Sequence, residues 1–191
     1  MESLKGSLLV ASPGLTDPNF ARTVVFIVEH NEEGALGVVL NRPGKASVRD
    51  LWSSLSKDPC GCEAKTFVGG PVQKNSVLIL HGFDDLSESS QEVIDGVYLG
   101  SELSLLETIL SRSDETSTEV AHGRFRLYCG YAGWGTGQLD HEMEAGGWLL
   151  LPAKLEHVFQ VETDELWTQA LRGVGGPYEF FALMPPNPEL N

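Results

Sequence analysis

The sequence predicts a single mixed α/β domain, and three observations carry that expectation. Short apolar runs rich in β-branched residues recur along the chain, segments with a capping residue and helical spacing alternate with them, and 191 residues with 41% hydrophobic content supply one core rather than two. At about 150 residues per domain the length suits one unit, expected over residues 1–184 with a loose tail at 185–191.

The first strand is expected at 7–11, closed by Ser12-Pro13-Gly14 and Asp17-Pro18-Asn19. Residues 24–28 are continuously apolar and β-branched rather than alternating, so this strand should be covered on both faces. Turn residues at 30–34 then lead into the apolar run 35–40, which predicts an antiparallel hairpin. Asn41-Arg42-Pro43-Gly44 breaks the strand, and Ser47 caps a short helix with Asp50 in its first turn and Val48, Leu51, Trp52 and Leu55 at helical spacing. Residues 56–65 read as a loop, 66–68 as a strand ended by Gly69-Gly70-Pro71, and 76–80 as another strand.

The acidic, serine-rich stretch 84–90 reads as a solvated loop, and Asp95-Gly96 as a tight turn between strands at 93–94 and 97–99. Ser101 is expected to cap a helix carrying Leu103, Leu106, Ile109 and Leu110, followed by a polar surface connection at 111–119. Residues 124–129 alternate, with Phe125, Leu127 and Cys129 on one face and Arg124, Arg126 and Tyr128 on the other, which suggests one wet face. The glycine-rich stretch 130–137 reads as a sharp turn into a helix at 138–145 that Gly146-Gly147 ends. A buried strand at 148–151 stops at Pro152, and Thr163 caps a last helix bearing Leu166, Trp167, Ala170 and Leu171, ended by Gly173. The apolar stretch 178–184 either straps over the core or offers a docking strip for a partner.

Charge narrows the function classes. Thirteen bases against 27 acids give −14, a surface that repels nucleic acid and anionic membranes. No run approaches the ~18 apolar residues of a membrane helix, the first five residues lack the features of a signal peptide, and Cys60, Cys62 and Cys129 form an odd set unlike a secreted disulfide framework; a cytoplasmic protein is expected.

Several chemistries fit poorly. Glycines at 130, 133, 135 and 137 miss the dinucleotide fingerprint, with Gln138 where its third glycine belongs, and Asp140, Glu142 and Glu144 on the next helix oppose a polyanion. These glycines read instead as architecture, with Tyr131 and Trp134 filling space. His141-Glu142 opens like a zincin helix but has no second histidine, and the five histidines lie far apart, so no metal or cofactor is expected. Cys60-Gly61-Cys62 reads as an exposed loop, Cys129 as a buried structural thiol, and Arg42 as a partner in an internal ion pair or a holder of an external carboxylate or phosphate. If a cleft exists, its expected place is where the irregular glycine-rich loops meet: Asn41, Arg42, Gly69, Gly70 and Pro71 with Tyr131, Trp134, Gly135, Gly137 and Gln138.

Six motifs stand in register: 5–11 (KGSLLVA), Glu29-His30-Asn31 with Gly34-Ala35-Leu36-Gly37, Asn41-Arg42-Pro43, Gly69-Gly70-Pro71-Val72, Asp95-Gly96-Val97-Tyr98, and Gly130-Tyr131-Ala132-Gly133-Trp134 with Gly137-Gln138-Leu139. Together they resemble the AlgH-like family over residues 5–173. That resemblance implies a single α/β domain whose mixed, bifurcated sheet curls into a pseudo-barrel with helices packed outside. The family takes its name from a proposed transcriptional regulator of alginate synthesis and offers no established catalytic residue or cofactor to transfer. The expected function is therefore a non-enzymatic binding or regulatory protein acting through protein contacts, without direct nucleic-acid binding. The alternative is a small-molecule binder or enzyme at the glycine-rich cleft. The Cys60-Gly61-Cys62 loop and the proline-containing tail depart from the family pattern.

Overall fold

The computed structural model describes residues 3–113 and 124–183. Among these residues ten strands form one mixed sheet, in the order β10-β1-β2-β3-β9-β6-β8-β7, with β4 and β5 as a branch. The strands are β1 (Ser7–Ala11), β2 (Val24–Asn31), β3 (Gly34–Val39), β4 (Pro43–Ser47), β5 (Lys65–Val68), β6 (Val72–His81), β7 (Gln91–Ile94), β8 (Val97–Gly100), β9 (Phe125–Gly135) and β10 (Trp148–Pro152). The helices are α1 (Val48–Leu55), α2 (Leu103–Ser113), α3 (Gln138–Glu144), α4 (Leu155–Phe159), α5 (Leu166–Val174) and α6 (Tyr178–Phe181).

Strand β9 is where the sheet divides. Its first half pairs with β6, and at Tyr128 and Cys129 it also takes β5 in parallel; further along, from Ala132 to Gly135, it takes β3 antiparallel. The sheet curls until β7 at one end meets the segment leading into β1, the strand next to the other end: the Lys5 ammonium donates to the Glu92 carbonyl at 2.8 Å, and a Cβ on Gly6 would lie 2.8 Å from Ile94 Cγ2. This is the single α/β domain with a curled sheet that the resemblance implied.

Both faces of the sheet are covered, which is why residues 24–28 are uninterruptedly apolar and fully buried. One core joins β1, β2 and β3 to Leu166, Trp167, Ala170 and Leu171 of α5; a second joins Val48 and Trp52 of α1 to Leu106 and Ile109 of α2 over Ile79, Phe125 and Leu127. The hairpin and the Asp95-Gly96 turn are present, and Ser47 and Asp50 form a reciprocal capping box on α1.

Other local expectations are corrected. The Asn41-Arg42-Pro43-Gly44 break is present, since β3 ends at Val39, but Pro43 also opens the unexpected strand β4, tolerated there because β4 pairs only with β5. Strand β6 begins at Val72, with an irregularity between Val72 and Val77 where Gln73 adopts φ +43°. The stretch 130–135 is strand rather than turn. Gly130 holds φ +72°, and a Cβ there would lie 2.8 Å from the carbonyl oxygens of Gly70 and Val72, so the glycines mark a close backbone approach within the sheet.

The supposed wet face of residues 124–129 is covered at Tyr128, which is fully buried against Phe67. Cys62 is buried in the second core and not in an exposed loop, whereas Cys129 is only half-buried. Residues 84–89 form a 3-10 turn. Helix α2 starts at Leu103, two residues past Ser101, and α5 starts at Leu166 and ends at Gly175 rather than running from a Thr163 cap to Gly173. Residues 178–181 of the apolar C-terminal stretch form α6, where Tyr178, Phe181 and Ala182 pack on the main core and Phe180 faces solvent. The expected connection at 114–119 and the tail at 185–191 lie outside the described residues.

Candidate functional site

Asn41 closes the loop after β1 onto the start of β2. Its Oδ1 accepts the Val24 N–H at 2.9 Å and its Nδ2 donates to the Arg22 carbonyl at 2.9 Å. Among the described residues Arg42 makes no ion pair; its guanidinium donates to the carbonyls of Pro18 at 3.0 Å and Ala21 at 3.4 Å, and burial lowers its pKa, only partly opposed by Asp17. Gly69 and Gly70 lie against β9 so closely that a Cβ on either would come within 2.2 Å of backbone atoms of Gly130 or Tyr131. Around these residues only a hollow of about 50 Å³ opens, lined by Arg42, Gly70, Pro71 and Lys74 among others, room for about one or two waters.

Trp134 and Gln138 contribute to a different place. A cavity of about 570 Å³ lies between the 12–20 loop, which contributes Ser12, Leu15, Asp17 and Phe20, and the segment that contributes Gln138, Glu142 and Trp148. Its construction follows from spacing. Gly137 adopts φ +68° and lets β9 turn directly into α3, and Gln138 and Glu142, four apart, share one helical face. The Gln138 amide oxygen accepts the Gly135 N–H at 3.2 Å, and its Nε2 donates to Glu142 Oε1 at 3.0 Å. Glu142 Oε2 accepts both the Trp134 and Trp148 indole N–H groups, at 2.9 and 2.8 Å. Buried indoles need such a partner, so one carboxylate ties α3 to β9 and β10. Phe20 stacks on Trp134 and meets Trp148 edge-on, with ring centroids 6.1 and 5.5 Å away. Of the ten sequence-nominated residues, Gln138 lines this cavity and Trp134 touches two of its lining residues, Phe20 and Glu142, whereas Arg42, Gly70 and Pro71 line the small hollow instead. Glu142, Phe20 and Trp148 were not nominated. The available signal was the spacing Trp134, Gln138, Glu142, Trp148, a carboxylate and an amide facing two indoles.

Elsewhere, His81 and Ser90 make a pair with the spacing of a nucleophile and base, His81 Nε2 lying 2.7 Å from Ser90 Oγ. The Phe83 N–H donates to His81 Nδ1 at 3.3 Å, which places the ring proton on Nε2, donating toward Ser90. In that tautomer the histidine cannot take the serine proton. Burial, only partly opposed by Asp85, lowers the His81 imidazole to about 4. Burial also raises the Cys129 thiol, which disfavours the nucleophilic thiolate. The Tyr128 phenol is pushed up to about 12 by burial, against the opposing influence of Arg126. No cluster of three metal-ligating side chains occurs among the described residues.

Comparison with known proteins gives a consistent result. The family profile described as AlgH-like matches residues 8–179. A UPF0301 protein of Chlorobaculum tepidum is 37% identical over 186 residues, covering 97% of this chain and 95% of that protein. A UPF0301 protein of Chlamydia caviae is 36% identical over 187 residues, covering 98% and 95%. The solution structure of the AlgH protein from Pseudomonas aeruginosa is similar at a TM-score of 0.73 and 29% identity, covering 97% of this chain and 96% of that one. A crystal structure of a Corynebacterium diphtheriae protein shares the fold at a TM-score of 0.75 and 23% identity, covering 96% and 93%.

Proposed function

We propose, from the premise that the chain belongs to the AlgH-like family, that it is a non-enzymatic cytoplasmic binding protein. It holds a small molecule in the cavity between the 12–20 loop and α3 and passes that occupancy on through protein contacts, as a regulator does. The observation that carries this reading is the state of the cavity's polar groups. Glu142 commits three of about four acceptor positions to Gln138, Trp134 and Trp148, which fixes the carboxylate in one orientation and leaves one position for a ligand, and Asp17 Oδ1 accepts the Asn19 N–H at 2.7 Å. Groups held this firmly suit recognition, and about 570 Å³ is the size of a site that encloses a small molecule. The cytoplasmic assignment rests on the odd cysteine count, and no helix among the described residues is long and apolar enough to cross a membrane.

The test is a thermal-shift screen of a metabolite panel against the wild type and Ala145→Trp, which places an indole at the cavity lining. At least one compound should raise the wild-type melting temperature and lose that effect on the variant. A flat panel, or compounds acting equally on both proteins, would overturn the reading.

A further inference from the structure

Resting on the reading of that cavity as a binding site, we infer that its ligand is a small organic cation: an ammonium or guanidinium head on an apolar body. Among the described residues that line the cavity, two are carboxylates, Asp17 and Glu142, and none is lysine, arginine or histidine. The chain around it is acidic as well, with Asp140 and Glu144 on the same helix and a net charge of −14 overall.

The two carboxylates are not equivalent. Asp17 interacts electrostatically with Arg42, whose guanidinium is bound to the Pro18 and Ala21 carbonyls of the same loop. No ion pair to Glu142 is found among the described residues. Its partners are neutral N–H donors, and Oε1 keeps one acceptor position beyond the Gln138 amide. Glu142 is also half-buried, so its remaining charge acts through a medium less polar than water. An anionic head would face both carboxylates. A neutral head would cover Glu142 without answering its charge, which is costly.

The apolar walls specify the rest of the ligand. Half-buried Phe20 and Leu15 line the cavity, and Trp148, only 3% exposed, backs it. Ring faces attract a cation, most strongly where water is excluded, and the same surfaces receive an apolar body. The volume exceeds what a simple ammonium ion would fill and leaves room for an apolar body beside the charged head, as in a free small molecule.

The experiment compares three probes that share one phenyl body and differ in head charge: the 2-phenylethylammonium ion, 2-phenylethanol and phenylacetate. Calorimetric titration of the full chain should show the cation binding about tenfold or more tighter than either of the others. Its affinity should fall as salt rises from about 50 to about 300 mM. Glu142→Gln should weaken the cation about tenfold more than it weakens 2-phenylethanol. Because that variant also touches the two indole bonds, Asp17→Asn serves as a second variant, with an expected loss of about threefold.

Equal or tighter binding of 2-phenylethanol or phenylacetate to the wild type would overturn the cation inference and leave the cavity reading standing. A wild type that binds the capped peptide acetyl-Gly-Lys-Gly-amide but not the phenylethylammonium ion would overturn the free-molecule proposal. Failure of all three probes overturns it too, and a metabolite panel that is also flat removes the cavity reading with it.

Discussion

Replacing Gly70 with alanine tests whether the glycine-rich motifs are architecture. The new Cβ would lie 2.2 Å from the carbonyl carbon and oxygen of Tyr131 and 2.4 Å from the Ala132 nitrogen, where ordinary contact begins at 3.4 Å. These are backbone atoms of β9, which is held on one edge through Val72↔Tyr131 and on the other through Gly37↔Ala132, so relief requires moving a strand by about 1.2 Å. Overpacking of this kind costs about 1–3 kcal/mol, and losing one ladder hydrogen bond adds about 1 kcal/mol. A total near 3 kcal/mol would lower a urea midpoint by roughly 1–2 M at an m-value of about 2 kcal/mol/M. The control is Gly135→Ala, where nothing lies within 4 Å of the added Cβ; it should be neutral or stabilising by about 0.5–1 kcal/mol. The assay is equilibrium urea unfolding followed by tryptophan fluorescence. A Gly70→Ala midpoint equal to wild type, or a Gly135→Ala loss as large as that of Gly70→Ala, would refute the reasoning.

Two further predictions concern the scaffold. Asn41→Ala leaves the N–H of fully buried Val24 without its side-chain acceptor and the Arg22 carbonyl without its donor, which should cost about 2–3 kcal/mol in urea unfolding; Asn41→Asp restores only the acceptor and should fall between. His81 is held neutral between Phe83 and Tyr98, with its pKa lowered from 6.5 to about 4, so the unfolded chain takes up the proton first as pH falls. Its contribution is therefore fully present above pH 6.5 and is lost as pH drops toward 4, at most about 3 kcal/mol; unfolding at a series of pH values should show a flatter acid limb for His81→Phe than for wild type.

Where neighbours in sequence decide the structure, the sequence was readable. The β-branched run at 24–28, the hairpin turn at 31–34 and the Ser47 cap with Asp50 each carry their signal in residues close together in the chain. The glycine stretch in β9 was not readable locally. Glycine ordinarily argues for a turn, and what keeps 130–135 extended is the backbone of Gly69, Gly70 and Val72, about sixty residues earlier in the chain. The same distance problem hid the covering of Tyr128 by Phe67 and the burial of Cys62 beneath the helices. Helix α4 is five residues long, too short for a periodic signal.

The candidate site shows the same division. Asn41, Arg42, Gly69, Gly70 and Pro71 are distinctive in sequence, yet the structure uses Asn41 and Arg42 to hold a loop and the two glycines to let strands meet. Glu142 looked like one acid among 27, and only the convergence of two indoles from separate strands distinguishes it.

The most direct measurement is a titration of 15N-labelled protein with the 2-phenylethylammonium ion, following the indole N–H signals. Those of Trp134 and Trp148, both bound to Glu142, should move together with the backbone amides of Gly146 and Gly147, while the Trp52 indole, bound to the Asp58 carbonyl, and the amides of Gly69 and Gly70 stay in place. Movement centred on Gly69, Gly70 and Lys74, with the Trp134 and Trp148 indoles unchanged, would contradict the account.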